Sequence, residues 1–243
     1  MKPLPEALRA CIGQGVDQID TPALVVDLDA MERNIARMAE FARKHQVLWR
    51  PHAKLHKSAE IALLLQRAGA VGACVQKTAE AEALAAGGVR DITITNQVIA
   101  HPKLLRVARL SAWLQAQGGR LALAVDSADG VQRLAEAMAQ AAPRARIDVL
   151  VEIDVGQGRC GVPPGAPALA LAQAVARLTQ LRFAGLHAYH GRAQHLRGAA
   201  QRREAIGAAV QAARHTRDLI TAAGLPVPLV TGSGTGTLVH EAA

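Results

Sequence analysis

Short runs rich in valine, isoleucine and leucine alternate with longer segments of helical period along the whole chain. The runs are ALVVDL (23–28), QVLWRPHA (46–53), AVGACV (70–75), DITIT (91–95), LALAV (121–125), IDVLVEI (147–153), RFAGLHAY (182–189) and VPLVT (227–231). Strands separated by helices predict parallel pairing, because a parallel strand needs a crossover and a helix supplies it. The nearly continuous apolar runs predict a sheet covered on both faces. Two architectures satisfy this pattern, an open doubly wound sheet and a (β/α)8 barrel. A doubly wound nucleotide fold would place its glycine-rich loop after the first strand, whereas TGSGTGT follows the last run, at 231–237. A phosphate loop after a late strand favours the barrel.

The clearest helix is expected at 29–45, with Asp29 as cap, Glu32 three residues on, and Met31, Ile35, Met38 and Ala42 on one face. A second is expected at 58–68, capped by Ser58, buried through Ile61, Leu64, Leu65 and Ala68, and ended by Gly69. Further helices are expected at 78–86, 102–117, 127–141, 166–179 and 198–223.

Composition bounds the function. Half of the 243 residues are hydrophobic, enough to build one large core. No apolar run approaches the roughly 20 residues of a membrane span, and MKPLPEALRACIGQG lacks a secretory apolar stretch, so the expectation is a cytoplasmic protein without membrane contact. Cys11, Cys74 and Cys160 are odd in number and far apart, which predicts reduced thiols. The net charge of +8 is spread along helices and only five aromatic residues could stack on bases, so no nucleic acid partner is expected.

In a parallel α/β fold the C-terminal ends of the strands form the functional rim. The polar residues there are Arg50, His52, Lys54, His56, Lys57, Gln76, Lys77, Asn96, Asp126, Ser127, Asp154, Arg159, His190 and His195, followed by the TGSGTGT loop. Lys54 at a strand end is a candidate Schiff-base amine, and the reading as a solvated lysine stands beside it. The loop offers N–H groups without Cβ obstruction, which suits a phosphate; a flexible turn is the alternative. A lysine and an anion loop on one rim together suggest pyridoxal 5′-phosphate. His52 with His56, or His187 with His190 and His195, lack a carboxylate or Cys at supporting spacing, so no metal site is assigned to them.

The motifs DTPALVVDLDAMERNIARMAEFA, RPHAKLHKSAEIA, GAVGACVQKTAEAEALAAGGVRDITITNQV, VEIDVGQGRCGV, GLHAYHGRAQH and VTGSGTGT resemble the D-threonine aldolase and D-serine dehydratase family, whose barrel is of the alanine racemase N-terminal type. The resemblance runs from about Asp20 to Thr237. It implies a pyridoxal-phosphate-dependent lyase acting on D-3-hydroxy amino acids, with wording nearer the 3-hydroxyaspartate aldolases. A dehydratase, a racemase and a non-catalytic cofactor-binding barrel are the alternatives. Lys54 is implied as the Schiff-base lysine, Arg159 near the cofactor O3′, and Gln76 and Tyr189 near its ring. Thr231, Gly232, Ser233, Gly234 and Thr235 are implied around the phosphate, and His195 as the base for the substrate β-hydroxyl. A homodimer is compatible with the resemblance.

Family members continue past residue 243 with a last strand and a β-rich domain that carries ligands for a divalent metal. The expectation is therefore a C-terminally truncated barrel of seven strands. Residues 1–28 would be an N-terminal segment whose strand pairs with that further domain, and residues 29–243 the incomplete cofactor barrel, with the metal ligands outside the chain.

Overall fold

The computed structural model describes residues 5–242. Among them, six strands form one parallel sheet in sequence order: β1 Ala73–Val75, β2 Asp91–Ile94, β3 Arg120–Val125, β4 Ile147–Glu152, β5 Leu181–Ala188 and β6 Val230–Gly232. After a short α1 (Glu6–Ala10), α2 (Leu28–Lys44) and α3 (Ala59–Arg67) precede β1. The crossovers are α4 (Thr78–Ala86), α5 (His101–Ala116), α6 (Ala128–Ala141), α7 (Ala166–Ala176) and α8 (Ala199–Ala222), and α9 (Leu238–Glu241) follows β6. The core lies between sheet and helices, with Ile92, Leu104, Leu123, Leu134, Ile147 and Leu186 fully buried. Every residue of β4 is buried, as expected of a central strand covered on both faces.

The sheet curls. Arg50, His52 and Cys74 at its first edge and Val230–Gly232 at its last border the same cavity. Met38 and Phe41 of α2 and Leu238 of α9 stand between those edges. His45, just past α2, lies with Nδ1 3.1 Å from the carbonyl oxygen of Ala242 and ties the two sides together. The architecture is a partly closed barrel with a parallel wall, the barrel type expected from the alternation.

Two expectations are corrected, at QVLWRPHA and at the start of α2. QVLWRPHA makes only a single parallel bridge, His52 to Cys74, beside β1. The segment does run along the sheet, since Trp49 O accepts from Val71 N–H, Pro51 O from Cys74 N–H and Cys74 O from Ala53 N–H, but Pro51 has no N–H to donate and the pairing is held to one bridge. ALVVDL forms no strand among the described residues. Leu24, Val25, Val26 and Leu28 are exposed, Leu24 at 80%, because no neighbouring strand offers them a ladder or a face. Helix α2 starts earlier than expected: Asp27, not Asp29, is the cap, its Oδ1 accepting from Ala30 N–H at 2.9 Å. Ser58 caps α3 as expected, and Gly69 takes a left-handed φ of 111° just past its end.

One glycine sets the late register. β5 bulges opposite Val149 and Leu150, so that Phe183 and Gly185 pair while Ala184 is extra. Gly185 has φ 132°, and a Cβ there would sit 1.9 Å from Leu229 O. That oxygen accepts from Leu186 N–H at 2.9 Å, which seats β6 against β5.

Candidate active site

The segment between the first edge and α3 carries the densest polar group. Arg50 donates from Nη1 to Asp91 Oδ1 at 2.5 Å, and Arg120 Nε lies 2.6 Å from the other oxygen of the same carboxylate. Asp91 opens β2, so the Arg50 guanidinium is tied to the end of the sheet opposite the rim. Two residues on, His52 Nδ1 accepts from Lys54 N–H at 3.2 Å. An accepting Nδ1 leaves the proton on Nε2, which donates to Thr95 Oγ1 at 3.0 Å, and the Thr95 hydroxyl donates to Val75 O at 3.2 Å. Burial first, then the Lys54 charge, push the His52 imidazole down to about 4, against the opposing pull of Glu80 and Gln76. His56 repeats the pattern: its Nδ1 accepts from Ser58 N–H at 3.1 Å, and burial lowers its pKa.

The two lysines separate. Lys54 borders the cavity. Lys57 has a left-handed φ of 52° and its Nζ lies 3.7 Å from Glu80 Oε1, outside the lining. Glu80 Oε2 also accepts from the N–H groups of Gln76 (2.9 Å) and Lys77 (3.1 Å), fixing the chain where Gln76 leaves β1.

The cavity measures about 640 Å³, in the range of small-molecule sites. Around it stand Lys54, Gln76, Thr95, Arg159, His187, Tyr189, His190 and residues 231–235. Lys54 follows the segment bridged to β1, and the others are supplied by the C-terminal ends of strands or the loops that follow. His187, Tyr189 and His190 all reach the lining. Alternation alone would have turned His190 away, but β5 ends at Ala188 and the chain has already left the pleat. His195 ends the 3₁₀ turn Gly191–His195, exposed and outside the lining. Of the remaining rim candidates, Ser127 caps α6, Asp126 Oδ2 accepts from Gly161 N–H at 3.1 Å, and Asn96 and Lys77 do not line the cavity.

The loop after β4 is folded around Asp154. Its carboxylate accepts from the Gly156 and Gly158 N–H groups at 3.0 Å; burial opposes ionisation, yet these bonds hold the acid below its usual range. Gln157 Oε1 accepts from Gly191 N–H at 2.7 Å and joins this loop to the one after β5. Inside the wall, Glu152 receives a hydrogen bond from Gln97 Nε2, and His187 Nδ1 lies 3.4 Å away without hydrogen-bond alignment. Burial raises the Glu152 pKa, but His187, Gln97 and the Arg159 charge outweigh it and leave the group lowered.

The glycine-rich loop is packed to the limit of its backbone. A Cβ on Gly232 would lie 2.4 Å from Ala188 O, and one on Gly234 would lie 2.6 Å from the Gln194 amide. Ser233 between them adopts φ 72°. Gln194 grips the loop at two points: Oε1 accepts from Gly236 N–H at 2.8 Å and Nε2 donates to Thr237 Oγ1 at 2.7 Å.

The model of the alanine racemase N-terminal domain matches residues 26–243. The chain belongs to the alanine racemase N-terminal domain family. Among curated relatives of this family member, a D-threonine aldolase of an Arthrobacter species is 42% identical over 231 residues, covering 95% of the chain and 59% of the relative. A 3-hydroxy-D-aspartate aldolase of Paracoccus denitrificans (strain Pd 1222) is 38% identical over 236 residues, covering 96% and 59%. The crystal structure of a D-threonine aldolase from Filomicrobium marinum superposes with a TM-score of 0.88 at 41% identity, covering 93% of this chain and 60% of that one. The chain thus spans about three fifths of the length of these proteins.

Sequence reasoning missed Thr95, Gln194 and the Glu152–Gln97–His187 cluster. Thr95 ends the DITIT run and is a rim position as legible as its neighbour Asn96. Gln194 adjoins His195, and only the fold shows which of the two turns inward. Among the described residues, no group of three or more His, Cys, Asp or Glu is arranged to hold a metal ion, and no helix is long and apolar enough to cross a membrane. Cys11, Cys74 and Cys160 are free thiols, and burial pushes Cys74 up to about 11.

Proposed function

We propose that this chain carries the cofactor half of a pyridoxal-phosphate-dependent lyase that cleaves D-3-hydroxy amino acids to glycine and an aldehyde. The observation that carries the reading is the convergence of Lys54, Arg159, Tyr189, Gln76 and the loop 231–235 on one cavity at the strand ends. The residues fit the cofactor. Gly232 and Gly234 let the loop pack directly against Ala188 O and Gln194, and the loop so held borders the cavity with backbone N–H groups of the kind that suit a phosphate. When bound, the cofactor supplies an aldehyde that condenses with an amine, releasing water, and a ring that accepts the electron pair of a breaking bond at Cα.

The chain's own residues then divide the work. Lys54 would hold the cofactor through its amine, residues 231–235 would bind the phosphate, and Arg159, an exposed cation over the mouth, would face the O3′ oxygen. Gln76 and Tyr189 would flank the ring. Cleavage requires loss of the β-hydroxyl proton, and His195, carried over from the family resemblance, is the candidate acceptor. The similarity to both a D-threonine aldolase and a 3-hydroxy-D-aspartate aldolase supports the aldolase reading over a racemase or dehydratase.

The test is to load the chain with pyridoxal 5′-phosphate and supply D-threonine or D-3-hydroxyaspartate. Glycine with acetaldehyde or glyoxylate is expected; oxaloacetate with ammonia would instead identify a dehydratase. A bound cofactor with no product would reduce the chain to a binding module. Lys54→Ala is expected to abolish covalent attachment, and His195→Gln to remove turnover while attachment persists.

A further inference from the structure

His52 and His56 stand four residues apart and make the same bond. Each turns Nδ1 back on the main chain two residues ahead, His52 onto Lys54 N–H and His56 onto Ser58 N–H. A side-chain acceptor at residue i for the N–H of i+2 is the bond of an Asx turn, made here by an imidazole. The pair brackets Lys54, at its own amide and at the cap of α3. His52 is in turn anchored to the sheet through Thr95 and, beyond it, Val75 O. A path of three hydrogen bonds therefore runs from the ends of β1 and β2 to the amide of an exposed lysine.

We propose that His52 is a positioning residue for Lys54, a neutral strut that sets the main chain of the turn so that the amine meets the cofactor aldehyde at a fixed approach. The proposal deepens the function above and rests on Lys54 being the attaching amine. Both nitrogens of His52 are occupied within the fold, Nδ1 by the Lys54 N–H and Nε2 by Thr95, so neither a lone pair for a metal nor a free proton for substrate is left. What the ring does is hold geometry. A reacting group displaced by a small distance loses rate without losing the bound ligand.

Three substitutions separate the two bonds. His52→Asn keeps an acceptor where Nδ1 lies but is too short for Thr95; His52→Gln reaches towards Thr95 but loses the turn acceptor; His52→Ala removes both. The chain is mixed with pyridoxal 5′-phosphate, and attachment is followed by its visible absorbance and by borohydride trapping with mass spectrometry of Lys54. Binding of a cofactor analogue lacking the aldehyde is measured alongside. Attachment is expected to slow tenfold or more in His52→Ala, which loses both bonds at roughly tenfold for each, to recover only in part in His52→Asn, which keeps the turn acceptor without the anchor, and to stay slow in His52→Gln. Analogue binding is expected to be unchanged throughout. Attachment at the parent rate in a folded His52→Ala, or analogue binding that falls as far as attachment, would overturn the proposal. If His52→Ala does not fold, Thr95→Val removes the anchor at constant shape, and an unaltered rate there overturns it equally. Attachment that persists in Lys54→Ala would instead defeat the assignment of the amine, a distinct result.

Discussion

Gln194 reaches from the turn after β5 to Thr237 at the end of the glycine-rich loop, placing its amide nitrogen 2.7 Å from the threonine oxygen. Thr237 is fully buried and also hydrogen-bonds Glu241 at 2.8 Å, so a single glutamine joins the β5 turn, the loop and α9. The glycine-rich loop therefore owes its shape to a side chain some forty positions earlier as much as to its glycines.

Replacing Gln194 by alanine leaves the Gly236 N–H and the Thr237 hydroxyl to find other partners. Affinity for the aldehyde-free cofactor analogue is expected to fall about tenfold, with about 1–2 kcal/mol of stability lost. Equilibrium binding and urea denaturation check both; unaltered binding would show that the glycines shape the loop unaided.

Gly185→Ala adds a Cβ against the Leu229 carbonyl at a left-handed φ. Backbone cannot yield as a flexible side chain can, so a loss of more than about 2 kcal/mol is expected, together with weakened phosphate binding as β6 shifts. The denaturation midpoint and cofactor affinity should move together.

Lys57→Ala breaks an ion pair in which the lysine is 61% exposed. Stability should change by less than about 1 kcal/mol and covalent attachment of the cofactor should be retained. Glu80→Ala should cost more, about 1–3 kcal/mol, because Glu80 also holds two backbone N–H groups. Attachment lost in Lys57→Ala would reverse the roles of the two lysines.

Acid should destabilise the fold over a defined window. The His52 pKa falls from 6.5 to about 4 on folding, through burial and Lys54 against the partial relief of Glu80 and Gln76 and with His187 adding to the depression. Between those values the unfolded chain takes up a proton that the folded chain refuses. Stability from this group is complete above about pH 6.5, falls as pH drops towards about 4, and changes no further below. His56 is shifted in the same direction. Urea midpoints measured across this range should fall with acid, and His52→Gln should flatten the slope; equal slopes in parent and variant would contradict the buried neutral ring.

The meeting of the candidate residues at one cavity was legible because their positions are set locally. Lys54, Gln76, Arg159, Tyr189 and 231–235 each follow an apolar run, and strands that all point one way bring such positions to one rim. What was not legible depended on partners distant in the chain. ALVVDL and QVLWRPHA have the composition of strands, but a strand exists only where a neighbour offers hydrogen bonds, and these runs find at most one bridge. Arg50 was counted as a rim cation until Asp91 drew it to the other end of the sheet.

Periodicity, caps and the order of runs were enough to establish a parallel barrel wall, the ends of α3, and the family motifs, because each depends on residues a few positions apart. The inward turn of Gln194 and the neutral state of His52 came from contacts across the fold. Those are set by burial and by hydrogen bonds between segments tens of residues apart, which no local pattern records.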